Sequence, residues 1–100
     1  MKEEAKLQAK ITQFLRRNDR FIIKTQGGSP GTSTGTPDIL TTYRDGRLLG
    51  LEIKRPDGKG VVSPEQKAVG QQIQRNSGLW YVISSWEEFE GVWQDVTKLI

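Results

Sequence analysis

The feature that most constrains the fold of this chain is the stretch from Thr36 to Lys54. Two apolar runs flank Asp45-Gly46, which is the pattern of a β-hairpin. Side chains alternate between the two faces of a strand, so Glu52 and Lys54 share one face while the apolar residues between them take the other. The second hairpin strand is therefore predicted to contribute to the core with one face and to carry an acid and a base on the other.

The hairpin register decides whether Asp38 joins the charged face. A two-residue loop at positions 45–46 pairs Asp38 with Ile53. A three-residue loop at 44–46, with its glycine left-handed, pairs Asp38 with Glu52 instead. We predict the second register, because a divalent metal ion would offset the repulsion between the two opposed carboxylates.

Composition narrows the chemistry that the chain can use. There is no Cys and no His, which excludes disulfides, thiolate metal sites and the usual imidazole base. The net charge of +3 permits a polyanionic partner without requiring one. No apolar run reaches the roughly 20 residues of a membrane span, and the start of the chain does not resemble a signal peptide. We expect one intracellular domain over residues 1–100, whose chemistry uses carboxylates, lysine and a hard metal ion.

Hydrophobic periodicity predicts the order helix, three strands, helix, strand, helix. The helices are predicted at 2–18, from a Ser63 cap to about residue 76 with Gly78 as its stop, and from a Ser85 cap to about residue 99. The strands are predicted at 21–25, in the hairpin, and at 79–83, the last as an interior strand because its apolar run is continuous. The polar loop from Gly27 to Thr36 is either a connector or a flap beside the hairpin. This order predicts an α/β (α+β) fold with a mixed sheet flanked by helices.

Five polar residues are expected to lie inward or on the charged face of the hairpin: Glu4, Asp38, Glu52, Lys54 and Gln66. Each has an ordinary explanation alone. Glu4 complements the dipole of the first helix, and Gln66 completes a capping box with Ser63. Together they predict an acidic cluster with one lysine, which could bind a divalent cation and act on a phosphodiester.

The residue types suggest roles for three members of this cluster. Asp38 and Glu52 would bind the metal ion, helped by the backbone carbonyl of Ile53. Mg²⁺ fits best, because it keeps several waters and takes few protein carboxylates. Lys54 would orient the attacking water or neutralise the developing charge.

Pro37-Asp38 followed by Glu52-Ile53-Lys54 resembles the PD-(D/E)xK nuclease signature, and the chain is similar to the VRR-NUC (virus-type replication–repair nuclease) family. Further matching positions are Glu4 with Gln8, Gly35-Thr36, Gly46-Arg47 and Ser63-Pro64-Glu65-Gln66. The resemblance covers about residues 3 to 90. The two-part signature is short and degenerate, whereas its ordered combination with the first-helix acid and the Ser-Pro-x-Gln helix start is more specific.

The resemblance implies a restriction-endonuclease-like core and assigns a role to each residue. It makes Asp38 and Glu52 metal ligands and Lys54 the catalytic lysine. Glu4 would reach the metal ion through water, and Gln66 would support the site. The implied cofactor is Mg²⁺ or Mn²⁺.

Glu3 competes with Glu4 as the first-helix acid, and we prefer Glu4 because it shares a helix edge with Gln8. The resemblance to stand-alone phage and bacterial members implies a homodimer that cuts branched DNA such as four-way junctions, in the cytoplasm of a bacterium or phage-infected host. Part of the dimer interface is expected on the last helix, with Trp86, Phe89 and Trp93.

Three alternatives remain open from the sequence. The first is another PD-(D/E)xK nuclease that acts on linear or flap DNA. The second is a nucleic-acid-binding module that has the fold without catalysis, which the intact Glu-x-Lys triplet disfavours. The third is a structural protein whose charged hairpin faces water, which leaves the polar edge formed by Glu4 and Gln8 on the first helix unexplained.

Overall fold

A computed structural model describes residues 3–25, 34–57 and 60–97, with side chains described as far as Asp95 in the last range. The elements are α1 (Glu3–Arg17), β1 (Ile23–Lys24), β2 (Ile39–Thr42), β3 (Leu48–Ile53), α2 (Pro64–Arg75), β4 (Leu79–Ile83) and α3 (Trp86–Thr97). Positions 27–33 of the predicted loop lie outside the described residues. None of the described helices is long and apolar enough to cross a membrane.

The described strands form one four-stranded sheet in the order β1-β2-β3-β4. The β1–β2 and β2–β3 pairs are antiparallel, and the β3–β4 pair is parallel because α2 connects these two strands. The prediction of an α+β fold with a mixed sheet and three helices is therefore confirmed. The central strand β3 is buried along its length from Leu49 to Ile53.

Helix α1 covers one face of the sheet with an apolar stripe. Leu7, Ile11 and Leu15 recur every four residues, so they lie on one side of the helix, and all three are buried. Phe14 continues the stripe toward α3, where its ring meets those of Trp86, Phe89 and Trp93 with centroids 5.1–5.5 Å apart. These edge-to-face contacts join the first and last helices into one core.

The aromatic residues of α3 pack mainly against the core of their own chain. Phe89 is only 1% exposed, and Trp86 and Trp93 are half-buried against the same cluster. The burial of Phe89 leaves it little surface for a dimer interface, whereas the expected interface at Trp86 and Trp93, which are partly exposed, stays a prediction. Their apolar surface is largely covered by the helix and sheet of their own chain.

Strand β4 lies at an edge of the described sheet, so the prediction of an interior strand was wrong. Its only described neighbour is β3, and Val82 is 36% exposed. The apolar sequence reflects helices on both faces. Ile83 is buried in the α1/α3 core, whereas Trp80 lies against α2, where a Cβ added to Gly70 would come within 2.3 Å of the indole ring. Face burial, and not pairing on both edges, made this run apolar.

Two predicted element ends also differ. The first strand is shorter than predicted and leaves Phe21 71% exposed; the Phe21 carbonyl accepts a hydrogen bond from the Thr41 hydroxyl at 2.7 Å. Helix α2 is stopped by Ser77, which has φ of 69°, while the following Gly78 only returns its N–H to the Ile73 carbonyl at 2.8 Å. The left-handed position expected at Gly78 thus falls one residue earlier.

Candidate active site

The hairpin turn has the three-residue loop that the sequence analysis predicted. Tyr43 N–H donates to the Arg47 carbonyl at 2.8 Å, which closes the loop around residues 44–46. Gly46 has φ of 91°, a left-handed conformation that glycine adopts without steric cost. The turn therefore sets the register of β2 against β3.

This register brings the two predicted metal ligands together. Ile39 pairs with Leu51 in the antiparallel ladder, so the next position along the hairpin places Asp38 opposite Glu52. The predicted register is confirmed. Asp38 and Glu52 interact strongly enough that the Asp38 carboxyl raises the pKa of Glu52.

Asp38 is held in place from two directions. Its Oδ2 accepts the backbone N–H of Ile53 at 2.8 Å, while its own carbonyl accepts the N–H of Thr25 at 2.9 Å. The Thr25 hydroxyl also donates to the Pro37 carbonyl at 2.6 Å. The end of β1 thus fixes the backbone on which Asp38 is mounted, a role for Thr25 that no sequence pattern indicated.

Gly35 brings the segment before Asp38 against the first turn of α2. It has φ of 89°, and a Cβ at this position would lie 2.4 Å from the Glu65 carbonyl oxygen and 3.0 Å from the Gln66 nitrogen. Only glycine fits both the conformation and the contact. This contact aligns the Asp38 strand with the helix that carries Gln66.

Glu52 is a buried carboxyl group with one unpaired oxygen. Its side chain is 1% exposed, and Oε1 accepts a hydrogen bond from Gln66 Nε2 at 2.9 Å. Oε2 has no hydrogen-bond partner among the described residues. Burial raises the pKa of Glu52 to about 8, with the Asp38 carboxyl adding to the effect and the Lys54 ammonium opposing it. A charged Glu52 therefore lacks a partner for half of its carboxylate.

Lys54 and Gln66 complete the charged face of β3. The capping box predicted at the start of α2 is present, with the Ser63 hydroxyl accepting the Gln66 N–H at 3.1 Å. Lys54 Nζ donates to Gln66 Oε1 at 2.9 Å and lies 3.9 Å from Glu52 Oε1. The structure thus brings Glu52, Lys54 and Gln66 together, as expected from the sequence. Through Gln66, the capping box is also connected to the charged face.

The first-helix acid lies beside this cluster without joining it. Glu4 is close enough to raise the pKa of Glu52, as the smallest of the contributions, whereas Glu3 pairs with Lys6 at 3.2 Å on the surface. This favours Glu4 over Glu3. A cleft of about 880 Å³ separates the start of α1 from the segment after β3. Its lining residues are Glu3, Glu4, Ala5, Gln8 and Arg55–Asp57.

The residues present fit a cation held by few protein ligands. No group of three or more His, Cys, Asp or Glu in the described ranges is close enough to hold a metal ion, so the arrangement is a pair of carboxylates and not a cage. A pair suits Mg²⁺, which retains several waters. Glu52 Oε2, which no described residue hydrogen-bonds, supplies an oxygen ligand of the kind that such a cation needs. The role of the Ile53 carbonyl stays a prediction.

No protein-family profile, curated protein or solved structure matches this chain. The site itself consists of two opposed carboxyl groups, one lysine and one carboxamide at the junction of β2, β3 and α2.

Proposed function

We propose that this chain is a metal-dependent DNA endonuclease of the PD-(D/E)xK type, with a restriction-endonuclease-like core of the VRR-NUC kind. The observation that carries the proposal is the Glu52 carboxyl group. It is buried opposite Asp38, with one oxygen that no described residue hydrogen-bonds, in a position where a solvated sheet surface was the ordinary expectation. This arrangement disfavours a purely structural role, because a buried carboxyl group that faces a second carboxyl group destabilises the fold.

A divalent cation resolves this conflict. Asp38 and Glu52 would hold Mg²⁺ or Mn²⁺, with the Ile53 carbonyl as a further oxygen donor and Glu4 acting through water from the cleft side. When bound, the cation would lower the pKa of a coordinated water and stabilise negative charge on a phosphate group. The raised pKa of Glu52 is the property expected of a carboxyl group arranged to receive a cation.

Lys54 is placed to act on the same reaction. Its side chain is only 14% exposed, and its ammonium lies beside Glu52 on the charged face of β3. A cation in this position can orient an attacking water or neutralise charge on the leaving oxygen. Gln66 supports both neighbours through its carboxamide.

We infer that the substrate is branched DNA, such as a four-way junction, and that the enzyme works as an intracellular homodimer. The supporting observations are the net charge of +3 and the resemblance of the motifs to stand-alone phage and bacterial nucleases. Two symmetric nicks in a junction require two active sites related by a two-fold axis, which a homodimer provides.

The test is incubation of the protein with a four-way junction, a fork and a linear duplex, each with Mg²⁺, with Mn²⁺ or with chelator. We expect metal-dependent cutting of the junction that is lost in Asp38→Ala and in Lys54→Ala. Cutting that survives either substitution would refute the site. Equal cutting of linear duplex would favour a nuclease of another substrate class, and binding without cutting would favour a non-catalytic module.

A further inference from the structure

The Gln66 carboxamide lies between the two charged groups of β3. Its Oε1 accepts from Lys54 Nζ at 2.9 Å, and its Nε2 donates to Glu52 Oε1 at 2.9 Å. Lys54 Nζ and Glu52 Oε1 are 3.9 Å apart, beyond the 2.7–2.9 Å of a close charge-assisted hydrogen bond. The lysine and the glutamate are thus held as near neighbours that do not bond directly.

The orientation of this carboxamide is fixed by the helix cap. The backbone N–H of Ser63 donates to Gln66 Oε1 at 2.8 Å, so two donors converge on this oxygen. A flipped amide would set its NH₂ group against the Ser63 N–H and the Lys54 ammonium, which have no acceptor to offer it. Nε2 therefore points toward Glu52, and the capping box of α2 fixes the orientation of the Gln66 carboxamide.

We propose that Gln66 is a positioning residue that keeps Lys54 and Glu52, an ion pair at 3.9 Å, from closing to a direct hydrogen bond. A lysine ammonium can donate to the oxygen of a neutral or an ionised carboxyl group, and two neighbouring side chains on one strand face can close a gap of this size. The neutral carboxamide takes one hydrogen bond from Lys54 and gives one to Glu52, at the positions where the two groups would otherwise meet. Glu52 thereby keeps its carboxylate for a cation, and Lys54 keeps its ammonium for an anionic substrate. These two consequences rest on the proposed nuclease function, whereas the spacing itself does not.

The direct test is the metal-free crystal structure of Gln66→Met, whose side chain has a similar length and no hydrogen-bonding amide. Gln71→Met, on an exposed position of the same helix, is the matched control. We expect Lys54 Nζ to move within about 3 Å of a Glu52 oxygen in Gln66→Met only. A separation that stays near the original 3.9 Å, or a lysine that turns to solvent, would overturn the proposal. Gln66→Leu provides a second variant with the same expectation, should the methionine fail to fold.

Calorimetric titration with Mn²⁺ supplies a second readout. Loss of a residue that orients metal ligands weakens metal binding by roughly 10–100-fold, and we expect this for Gln66→Met, with Gln71→Met unchanged. Equal Mn²⁺ affinity in both variants would count against the positioning role of Gln66. A wild-type protein that neither binds Mn²⁺ nor cuts DNA would instead refute the proposed function, and the distance between Lys54 and Glu52 in Gln66→Met would still decide the positioning role.

Discussion

Asp38 lies opposite Glu52 across the β2–β3 hairpin, and the two carboxyl groups are stabilised unequally. Asp38 receives the backbone N–H of Ile53, whereas one oxygen of Glu52 is buried with no hydrogen-bond partner in the part of the chain that the structure describes. The proton that relieves the repulsion between them therefore resides on Glu52, whose pKa rises to about 8. Without a cation, the buried pair is stable only when Glu52 is protonated and therefore neutral.

This relationship predicts how the stability of the metal-free protein depends on pH. The pKa of Glu52 is raised from its ordinary 4.5 to about 8 on folding, so its contribution to stability is complete below pH 4.5 and is lost as pH rises through 8. We expect the melting temperature in chelator to fall between pH 5 and pH 8. Glu52→Gln mimics the neutral acid, so its melting temperature should fall less over this range. At pH 8 its free energy of unfolding should exceed that of wild type by more than about 1 kcal/mol.

Glu90→Gln is the control for this experiment, because Glu90 is exposed on α3. It should follow the wild-type curve, and added Mg²⁺ should restore wild-type stability at pH 8. A wild-type melting temperature that rises from pH 5 to pH 8 in chelator would contradict the assignment of the proton to Glu52.

The contact made by Gly35 predicts unequal costs for two glycine substitutions. Gly35 and Gly46 have nearly the same positive φ, but a Cβ at Gly35 meets the backbone of α2 while a Cβ at Gly46 meets nothing within 4 Å. We expect Gly46→Ala to cost about 1 kcal/mol in unfolding free energy and Gly35→Ala about 2–4 kcal/mol. Urea denaturation of the two variants measures the difference; equal costs would show that the Gly35 contact does not constrain the fold.

The two serine caps separate stability from site geometry. Ser63 caps α2 beside the charged face, and Ser85 caps α3 through the Glu88 N–H at 3.1 Å on the exposed surface. Replacing either with alanine should cost about 1 kcal/mol of stability. Only Ser63→Ala should also slow DNA cleavage, because the Ser63 hydroxyl accepts the backbone N–H of Gln66 and its loss loosens the first helical turn that carries the Gln66 side chain. If both variants cleave at the wild-type rate while equally destabilised, the cap is independent of the site.

Alanine substitution should have opposite effects at two helix glycines, because Gly70 on α2 packs against Trp80 and Gly91 on α3 does not. Gly70→Ala should destabilise the protein by about 2 kcal/mol or more, because the new methyl group would enter the Trp80 ring. Gly91→Ala on α3 has open space around it and should stabilise the protein by about 0.5–1 kcal/mol through helix propensity alone. Thermal unfolding of both variants tests this, and a neutral Gly70→Ala would contradict the tight contact of α2 with β4.

Local patterns predicted the parts of this structure that depend on local geometry. The Asp45-Gly46 turn, the alternation around Glu52 and the Ser63 cap each follow from steric or hydrogen-bonding rules that act over a few residues. The register at Asp38 was predictable because loop length fixes strand pairing.

The remaining features depend on contacts between segments distant in the chain. The anchoring of Asp38 by Thr25 and the edge position of β4 both arise from the tertiary arrangement. An apolar run such as 79–83 reports that both faces of the strand are covered, but it does not report how many strands pair with it. The link between the helix cap and Lys54 was likewise invisible, because Gln66 has a sufficient local role in the cap.

In the proposed function, Asp38 and Glu52 bind the divalent cation that serves the reaction. Iron-dependent self-cleavage tests it most directly: Fe²⁺ with ascorbate and peroxide generates radicals that cut the backbone beside the bound ion. We predict fragments that end near Asp38 and near Glu52-Ile53, suppressed by excess Mg²⁺ and absent in Glu52→Gln. Cleavage at other positions, or the same fragments in Glu52→Gln, would contradict the account.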